Sequence, residues 1–226
     1  MLEDPSSPLV KRWPAETVAS PLALEHLKRR HVTLRDGQTK ATILPLTSQH
    51  QIPPSLLDFL SLQFNKEIEA GDTYPMVDPL PVDKFGDYWF QTFAAVMVVG
   101  TLQDASDLRD DMDWASMCMG SYYVKPNYPG RSSHVCNAGF IVTESARGQG
   151  VGLLLGESYV DWAPKLGFSY SVFNLVYETN VASLKIWDKL GFQRIGRVKG
   201  CGRLKSYPGQ LVDAIVYGRD LTCAKE

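Results

Sequence analysis

Cysteine and histidine are scarce in this chain, and their spacing argues against a metal or disulfide framework. Four cysteines and four histidines occur among 226 residues, and no two cysteines form a C-x-x-C pair. Zinc sites and disulfide frameworks rely on such closely spaced ligands. His134 and Cys136 stand two residues apart, but a half-buried strand histidine beside a small apolar thiol explains them more simply than a metal. Scattered free thiols favour a reducing compartment.

Long apolar runs and basic stripes are also missing, and we expect no leader segment. No uncharged apolar run approaches the ~20 residues that a membrane-spanning helix needs. The formal net charge is −2, and no basic stripe alternates with aromatics, so we expect neither nucleic acid nor membrane as a partner. The acidic start, Met1 to Pro5, is untypical of a secretory signal or a transit peptide. We therefore expect a cytoplasmic protein, with the mitochondrion as the alternative.

The composition is that of a globular domain, since 44% of the residues are hydrophobic. Prolines interrupt residues 1–38, which we interpret as an irregular N-terminal extension. Residues 39–226 are predicted to form a single domain. Apolar periodicity predicts helices at 54–70, 150–166 and 180–190, and strands at 41–46, 93–102, 118–125, 136–142, 170–177, 192–198 and 211–217.

The order of these elements predicts an α/β fold with a mixed sheet. In the front half, a turn-rich link joins the strands at 118–125 and 136–142, which favours antiparallel pairing. The later strand–helix–strand–helix–strand order favours parallel pairing with helical crossovers. The proline-rich segment 73–84 is interpreted either as a plain connection or as a lid over a substrate.

A glycine-rich turn lies between the strand at 136–142 and the following helix. It reads Arg147-Gly148-Gln149-Gly150-Val151-Gly152. The first N–H groups of a helix lack internal partners and lie at its positive end, so a glycine turn there can bind a phosphate. A Walker A loop would need Lys-Ser or Lys-Thr after the last glycine, and a Rossmann fingerprint would need a differently placed third glycine. A plain strand-to-helix turn stays open as an interpretation.

Two motifs together resemble those of the GNAT superfamily of acetyltransferases. Arg147-x-x-Gly150-x-Gly152 is similar to its coenzyme A pyrophosphate motif, and the stretch from Asn180 through Trp187 to Gly191-Phe192 is similar to its second signature. The resemblance implies a twisted mixed sheet of about seven strands flanked by helices, acetyl-CoA as co-substrate and no metal. It also implies a set of coenzyme-binding residues: Ile141, Val142, Arg147, Gly148, Gln149, Gly150, Val151, Gly152, Asn180 and Trp187.

A closer resemblance extends over about residues 41–221. The stretches 122–128, 136–140, 173–176 and 185–190 are similar to those of fungal azetidine-2-carboxylate N-acetyltransferases. This similarity implies acetylation of the ring nitrogen of a small cyclic imino acid, such as azetidine-2-carboxylate or pyrroline-5-carboxylate. It further implies a homodimer with a role in detoxification and proline-linked protection from oxidative stress.

The same resemblance implies roles for four residues. Asn137 is expected to hold the substrate carboxylate, and Phe140 to pack against the small ring. Asn174 and Asn180 are expected to be catalytic, ordering substrate, pantetheine or a water. The residues alone leave other roles open, because Asn174 could be a structural bridge in an apolar strand and Asn180 a helix N-cap.

The proton chemistry departs from the general superfamily pattern. Many members have a tyrosine about seven residues after the asparagine, as the acid for the thiolate, where this chain has Trp187. Tyr177, a water or the ammonium formed from the acceptor are alternative acids. Glu144 and Glu178 are candidate bases, although we prefer a water held by Asn174.

Two other functions remain compatible with the motifs. The chain could acetylate another small amine, a protein N-terminus or a lysine. It could also be a coenzyme-binding module without catalysis.

Overall fold

The computed structural model describes residues 27–222, so most of the predicted N-terminal extension and Cys223 lie outside the described residues. These residues form one eight-stranded sheet in the order β1-β2-β3-β4-β5-β6-β8-β7. Pairing is antiparallel everywhere except between β5 and β6, which run parallel. The strands are β1 Arg30–Thr33, β2 Lys40–Leu46, β3 Phe93–Val99, β4 Cys118–Pro126, β5 Val135–Val142, β6 Tyr170–Tyr177, β7 Gln193–Gly202 and β8 Val212–Asp220.

Five helices flank this sheet, which confirms the predicted mixed α/β class. They are α1 Pro54–Ala70, α2 Val82–Trp89, α3 Trp114–Met117, α4 Val151–Lys165 and α5 Val181–Lys189. Buried side chains of α1, α2 and α3 belong to one apolar cluster, and those of α4 and α5 belong to the other. The sheet therefore separates two hydrophobic cores, as in other layered α/β domains.

The helix boundaries follow from residues that start and stop helices. Pro54 is the first residue of α1, where its missing N–H is not needed, and Gly71 ends the helix in the left-handed conformation with φ of 71°. The apolar face predicted from the sequence is buried, including Leu56, Leu60 and Phe64. The boundaries predicted for this helix, 54–70, match those observed.

The C-terminal strands are arranged differently from a simple parallel series. The crossover through α4 joins β5 to its parallel neighbour β6, as predicted. The crossover through α5 does not bring β7 next to β6, because β8 lies between them and pairs antiparallel with both. Direct parallel pairing of those two strands was therefore the wrong prediction, since the last strand of the chain fills the position between them.

Two elements lie where irregular structure was predicted. Strand β1 pairs with β2 inside the segment 1–38, so the sheet begins before residue 39. Helix α2 begins at Val82, within the segment 73–84 predicted to be a loop. It is only eight residues long and contains Gly86, so its sequence carries a weak helical signal. Its buried aromatic residues Phe85 and Trp89 stabilise it against α1.

Candidate active site

Strands β5 and β6 separate soon after they begin to pair. Only Val135 with Tyr170 and Cys136 with Ser171 are in register, and beyond them the strands diverge. A cavity of about 1180 Å³ occupies this gap. It is lined by residues from both faces of the sheet, by residues 73–80 of the proline-rich segment and by the start of α4. Every residue of the predicted site except Gln149 lines this one cavity.

The glycine turn, residues 147–152, closes one end of the cavity at the start of α4. Gly148 and Gly150 have φ of 77° and 86°, which favour glycine over any other residue. Among the described residues, no atom accepts a hydrogen bond from the backbone N–H groups of 148–152, whereas Leu153 and Leu154 donate to the Gly150 carbonyl. These open donors at the positive end of a fifteen-residue helix form a site for an anionic group.

The third glycine of the turn, Gly152, is subject to a different constraint, which is steric. A Cβ at Gly152 would lie 2.9 Å from Cδ1 of Ile186. Gly152 therefore allows α4 to approach α5 closely. The sequence interpretation, in which all three glycines admit a phosphate, stays a prediction. At Gly152 the contact with Ile186 is a further reason for glycine.

Charged and polar side chains of the turn are held by neighbouring elements. Arg147 forms an ion pair with Glu67 at the end of α1, and Gln149 Nε2 donates to the Ser145 carbonyl. Arg35, which the sequence interpretation missed, approaches Gly150 from the β1–β2 turn and lines the cavity. Its distance of more than one hundred residues along the chain left no local signal. The glycine turn is thus flanked by two guanidinium groups.

Beyond Cys136, the backbone groups on the edge of β5 that faces β6 are not paired with that strand. The Phe140 carbonyl accepts a hydrogen bond of 3.1 Å from the Tyr74 hydroxyl, so it faces the gap. Alternate residues of an antiparallel ladder face the same edge, so the backbone groups of Ala138 and Val142 are expected to face the gap as well. The side chain of Ile141 is buried in the core beside α1, and that of Val142 is half-buried on the opposite side.

Tyr74 comes from the proline-rich segment, which covers the gap. Desolvation of its hydroxyl, reinforced by the nearby Tyr88, raises the pKa of Tyr74 well above its ordinary value, so the hydroxyl stays a donor. Asn65 on α1 fixes the far end of the segment by bonding both the N–H and the carbonyl of Leu80. Of the two interpretations of this segment, the lid over a substrate is the one that this geometry favours.

Three asparagines gather at the opposite end of the cavity from the glycine turn. Asn174 on β6 and Asn127 after β4 exchange two side-chain hydrogen bonds of 2.6 and 3.1 Å. Asn137 on β5 lies between these strands and accepts from the N–H of Ala138 through its Oδ1. Asn137 also lines the cavity. Asn127 has no motif of its own, so the sequence interpretation missed it.

A buried lysine completes this end of the cavity. Lys125 is directly opposite Asn137 in the β4–β5 register, and its side chain is 6% exposed. We call Lys125, Asn127, Asn137 and Asn174 the polar wall. The sequence interpretation also missed Lys125, because a lysine near the end of a strand is usually solvated.

The aromatic residues of the predicted site, Phe140 and Trp187, belong to the core beside α4 and α5. Phe140 lies 4.9 Å from Trp187 and 5.1 Å from Tyr122 between ring centroids. Phe173 lies 4.5 Å from Trp187. Successive strand residues face opposite sides, so the Phe140 ring and the Asn137 amide lie on different faces of β5. The cavity reaches both because the sheet is open at the gap.

Asn180 has the N-cap role considered from the sequence. Its Oδ1 accepts from the Ser183 N–H at 3.2 Å, and the residue also lines the cavity. Tyr177 lines the cavity as well, and desolvation raises the pKa of its hydroxyl. A raised pKa makes complete proton transfer to a thiolate unfavourable, although the hydroxyl can still donate a hydrogen bond.

The other titratable candidates lie outside this cavity. Glu144 pairs with Lys66 at 3.4 Å, and Glu178 pairs with Arg197. Neither carboxylate lines the cavity wall. His134 is exposed while Cys136 is fully buried. Within residues 27–222 no cluster of His, Cys, Asp or Glu could hold a metal, and no helix has the length and apolar character to cross a bilayer.

Comparison with known proteins gives the family. The model of the acetyltransferase (GNAT) family matches residues 98–192, which include β5, the glycine turn, α4 and α5. N-acetyltransferase aca1 of Schizosaccharomyces pombe is 43% identical over 165 residues, covering 72% of this chain and 78% of that protein. Protein SPT10 of Saccharomyces cerevisiae is 33% identical over 84% of this chain, but the match spans only 35% of that protein.

Solved structures agree in fold. A GCN5-related N-acetyltransferase from Kribbella flavida has a TM-score of 0.63 and 29% identity, covering 79% of this chain and 97% of its own. The protein yncA from Salmonella typhimurium, solved with acetyl-CoA, has a TM-score of 0.61 at 12% identity. The match covers 81% of this chain and 96% of that one. The chain belongs to the GNAT family of acetyltransferases. It is an acyltransferase whose co-substrate is acetyl-CoA, and the open N–H donors of the glycine turn fit the pyrophosphate of that molecule.

Proposed function

We propose that this protein transfers the acetyl group of acetyl-CoA to the ring nitrogen of a small cyclic imino acid. Azetidine-2-carboxylate represents that substrate class. Pyrroline-5-carboxylate, whose ring nitrogen is an imine, would be acetylated as the amine of its open semialdehyde form. The observation that carries the proposal is the polar wall at the end of the cavity remote from the glycine turn. Amide and ammonium donors there suit a carboxylate-bearing acceptor better than an unsubstituted amine.

Several contacts support the order of the two substrates along the cavity. The glycine turn, with Arg35 and Arg147 beside it, suits the pyrophosphate, and the open edge of β5 suits the amides of the pantetheine arm. The thioester would then lie between Phe140 and Asn174, where β5 and β6 diverge. The acceptor nitrogen, held by the polar wall, would approach the carbonyl carbon from the other face of the sheet.

The reaction needs a neutral nitrogen and a stabilised carbonyl oxygen. A C–N bond forms as the C–S bond breaks, the nitrogen loses its proton, and the departing thiolate gains one. Backbone N–H groups on the open edge of β5 are suited to stabilise the negative charge that develops on the oxygen. Asn174, whose amide is already fixed by Asn127, is suited to hold a water that carries the proton away.

The proposal fits a small acceptor better than a peptide. Residues 73–80 line the acceptor side of the gap, and Tyr74 is bonded to the backbone of β5 across it. A peptide or a protein lysine would need this segment to open. A small ring needs only the space beneath it.

The test is thiol release from acetyl-CoA with azetidine-2-carboxylate as acceptor. We expect Asn137→Ala to lower kcat/KM for this acceptor about 10- to 100-fold. This decrease corresponds to the free energy of a hydrogen bond to a charged group. Asn137→Asp should lower it further, because a carboxylate repels the substrate. Asp58→Ala, at an exposed position of α1, is the control and should leave kcat/KM unchanged.

Other outcomes would redirect the assignment. Acetylation of polyamines or peptides in preference to the imino acid would contradict the proposed acceptor and retain the acetyltransferase. Binding of acetyl-CoA without release of thiol for any acceptor would favour a module without catalysis.

We also propose a homodimer located in the cytosol. Strand β7 is an edge strand whose residues are almost all exposed, including Ile195 and Val198 at 49% and 40%. An uncovered edge of this length is suited to pair with another chain. Light scattering on the purified protein tests the dimer, and a fluorescent fusion tests the compartment.

A further inference from the structure

The cation of the polar wall lies in surroundings that are unusual for lysine. Lys125 is among the buried residues, and its Nζ lies 4.0 Å from the ring centroid of Tyr88 and 4.7 Å from that of Tyr123. Lysine is rarely buried to this extent, because its ammonium loses hydration. Aromatic faces attract a cation through their quadrupoles, which stabilises the ammonium at this depth.

Lys125 lies near the asparagine side chains of the polar wall and not near the glycine turn. It is the cross-strand partner of Asn137, and side chains directly opposite each other lie about 5 Å apart at Cβ. Asn127 follows two residues later, directly after that strand, and bonds Asn174. The ammonium and three amides thus share one face of the sheet at one end of the cavity.

Other cations of the cavity wall lie elsewhere. Arg35 approaches Gly150, and Arg147 belongs to the glycine turn itself. Lys185 and Lys189 are on α5, which belongs to the opposite face of the sheet. These groups are suited to the phosphates of the co-substrate, whereas Lys125 belongs to the polar wall.

We propose that Lys125 determines acceptor specificity by binding the carboxylate of the substrate together with Asn137. This inference rests on the proposed function and names the group that selects its substrate class. The amide of Asn137 supplies a directional hydrogen bond without net charge, and the ammonium supplies the charge. A charge pair shielded from water is stronger than an exposed one, so an acceptor that lacks the carboxylate is disfavoured.

The experiment compares two acceptors of similar shape: azetidine-2-carboxylate, which carries a negative charge at the carboxylate, and its primary carboxamide, which is neutral at that position. For the wild type we expect kcat/KM to be about 10- to 100-fold higher with the carboxylate. In Lys125→Met this preference should fall to nearly one, through loss on the carboxylate with little change on the carboxamide. The ratio is taken within one preparation, so it does not depend on the active fraction.

Controls separate a lost charge from a damaged fold. Lys84→Met, an exposed lysine on α2, should keep the wild-type preference. Lys125→Gln retains a donor without charge and serves if the methionine variant does not fold. Both Lys125 variants should bind acetyl-CoA with the wild-type Kd, measured by calorimetry, since the glycine turn is unchanged.

The outcomes distinguish this inference from the proposed function. If Lys125→Met and Lys125→Gln keep the preference for the carboxylate, Lys125 does not bind the carboxylate and the inference is wrong. If the wild type acetylates both acceptors equally well, imino-acid acetylation stands and carboxylate recognition does not. If the wild type acetylates neither acceptor, the proposed function and this inference both fail.

Discussion

The two ends of the cavity are built in different ways. The glycine turn is six consecutive residues, and its ligand groups are backbone N–H donors at the start of α4. The polar wall takes its side chains from β5, from β6 and from β4 with the residue that follows it. A site made of backbone is specified by conformation, whereas a site made of side chains is specified by tertiary contacts. The first suits a co-substrate shared by a family, and the second suits the acceptor, which varies.

The largest expected effect is at the polar wall, with Asn174→Ala. Its partner Asn127 would lose both side-chain bonds, and any water or substrate held by Asn174 would be released. We expect kcat/KM for azetidine-2-carboxylate to fall about 100-fold or more, as when a donor at a reacting centre is removed. Steady-state kinetics with both substrates measures it.

The double-mutant cycle with Asn127→Ala sharpens this prediction. If Asn127 acts only by fixing Asn174, the double variant should be no worse than Asn174→Ala alone. An unchanged Kd for acetyl-CoA is expected throughout. A drop in acetyl-CoA affinity equal to the loss in kcat/KM would contradict the separation of the two ends.

The next largest effect is at the glycine turn, with Gly150→Ala. Its φ of 86° is unfavourable for alanine, at a cost of about 1–3 kcal/mol. Relaxation of the turn would misdirect the N–H donors, so we expect acetyl-CoA to bind about 10- to 100-fold more weakly. Calorimetry measures that affinity directly.

Gly209→Ala is the matched control for backbone strain. Gly209 has φ of 76° and no atom within 4 Å of an added Cβ, and it lies in the turn between β7 and β8. This variant should lose a similar amount of stability in thermal unfolding while keeping the affinity for acetyl-CoA. Equal loss of affinity in both variants would show that strain alone accounts for the effect.

The smallest effect is expected where the two ends are joined, with Tyr74→Phe. The hydrogen bond from the Tyr74 hydroxyl to the Phe140 carbonyl would be lost. The net free energy of such a hydrogen bond is about 0.5–1.5 kcal/mol. We expect KM for the acceptor to rise about 3- to 10-fold, since the covering segment is held less firmly. The Kd for acetyl-CoA should stay the same.

The pH dependence of this variant gives a second readout. Because the pKa of Tyr74 is raised above 10, its hydroxyl stays protonated through neutral and mildly alkaline pH. The ratio of wild-type to variant kcat/KM should therefore be constant from pH 7 to about 9.5. A ratio that declines across this range would mean that the hydroxyl ionises and the raised pKa is wrong.

Local signals predicted the elements whose boundaries depend on their own residues. The bounds of α1 follow from Pro54 and Gly71, and those of β6 from a mainly apolar run that ends before Glu178, so both were predicted correctly. The position of β8 between β6 and β7 was not predicted, because strand order depends on which strand edges are free after the earlier strands have paired. The short strand β1 and helix α2 were missed because packing, rather than propensity, stabilises them.

The sequence by itself determined the family, the class of fold and the place of the glycine turn, because these depend on residues that are adjacent along the chain. Helix starts and left-handed glycine conformations depend on only a few neighbouring residues, so a contiguous sequence motif is enough to predict them. Only the tertiary structure decided that Lys125 and Asn127 join Asn137 and Asn174, and that Gly152 faces Ile186. The divergence of β5 and β6 opens the sheet there, and which side chains border that opening depends on strand register, which no single segment encodes.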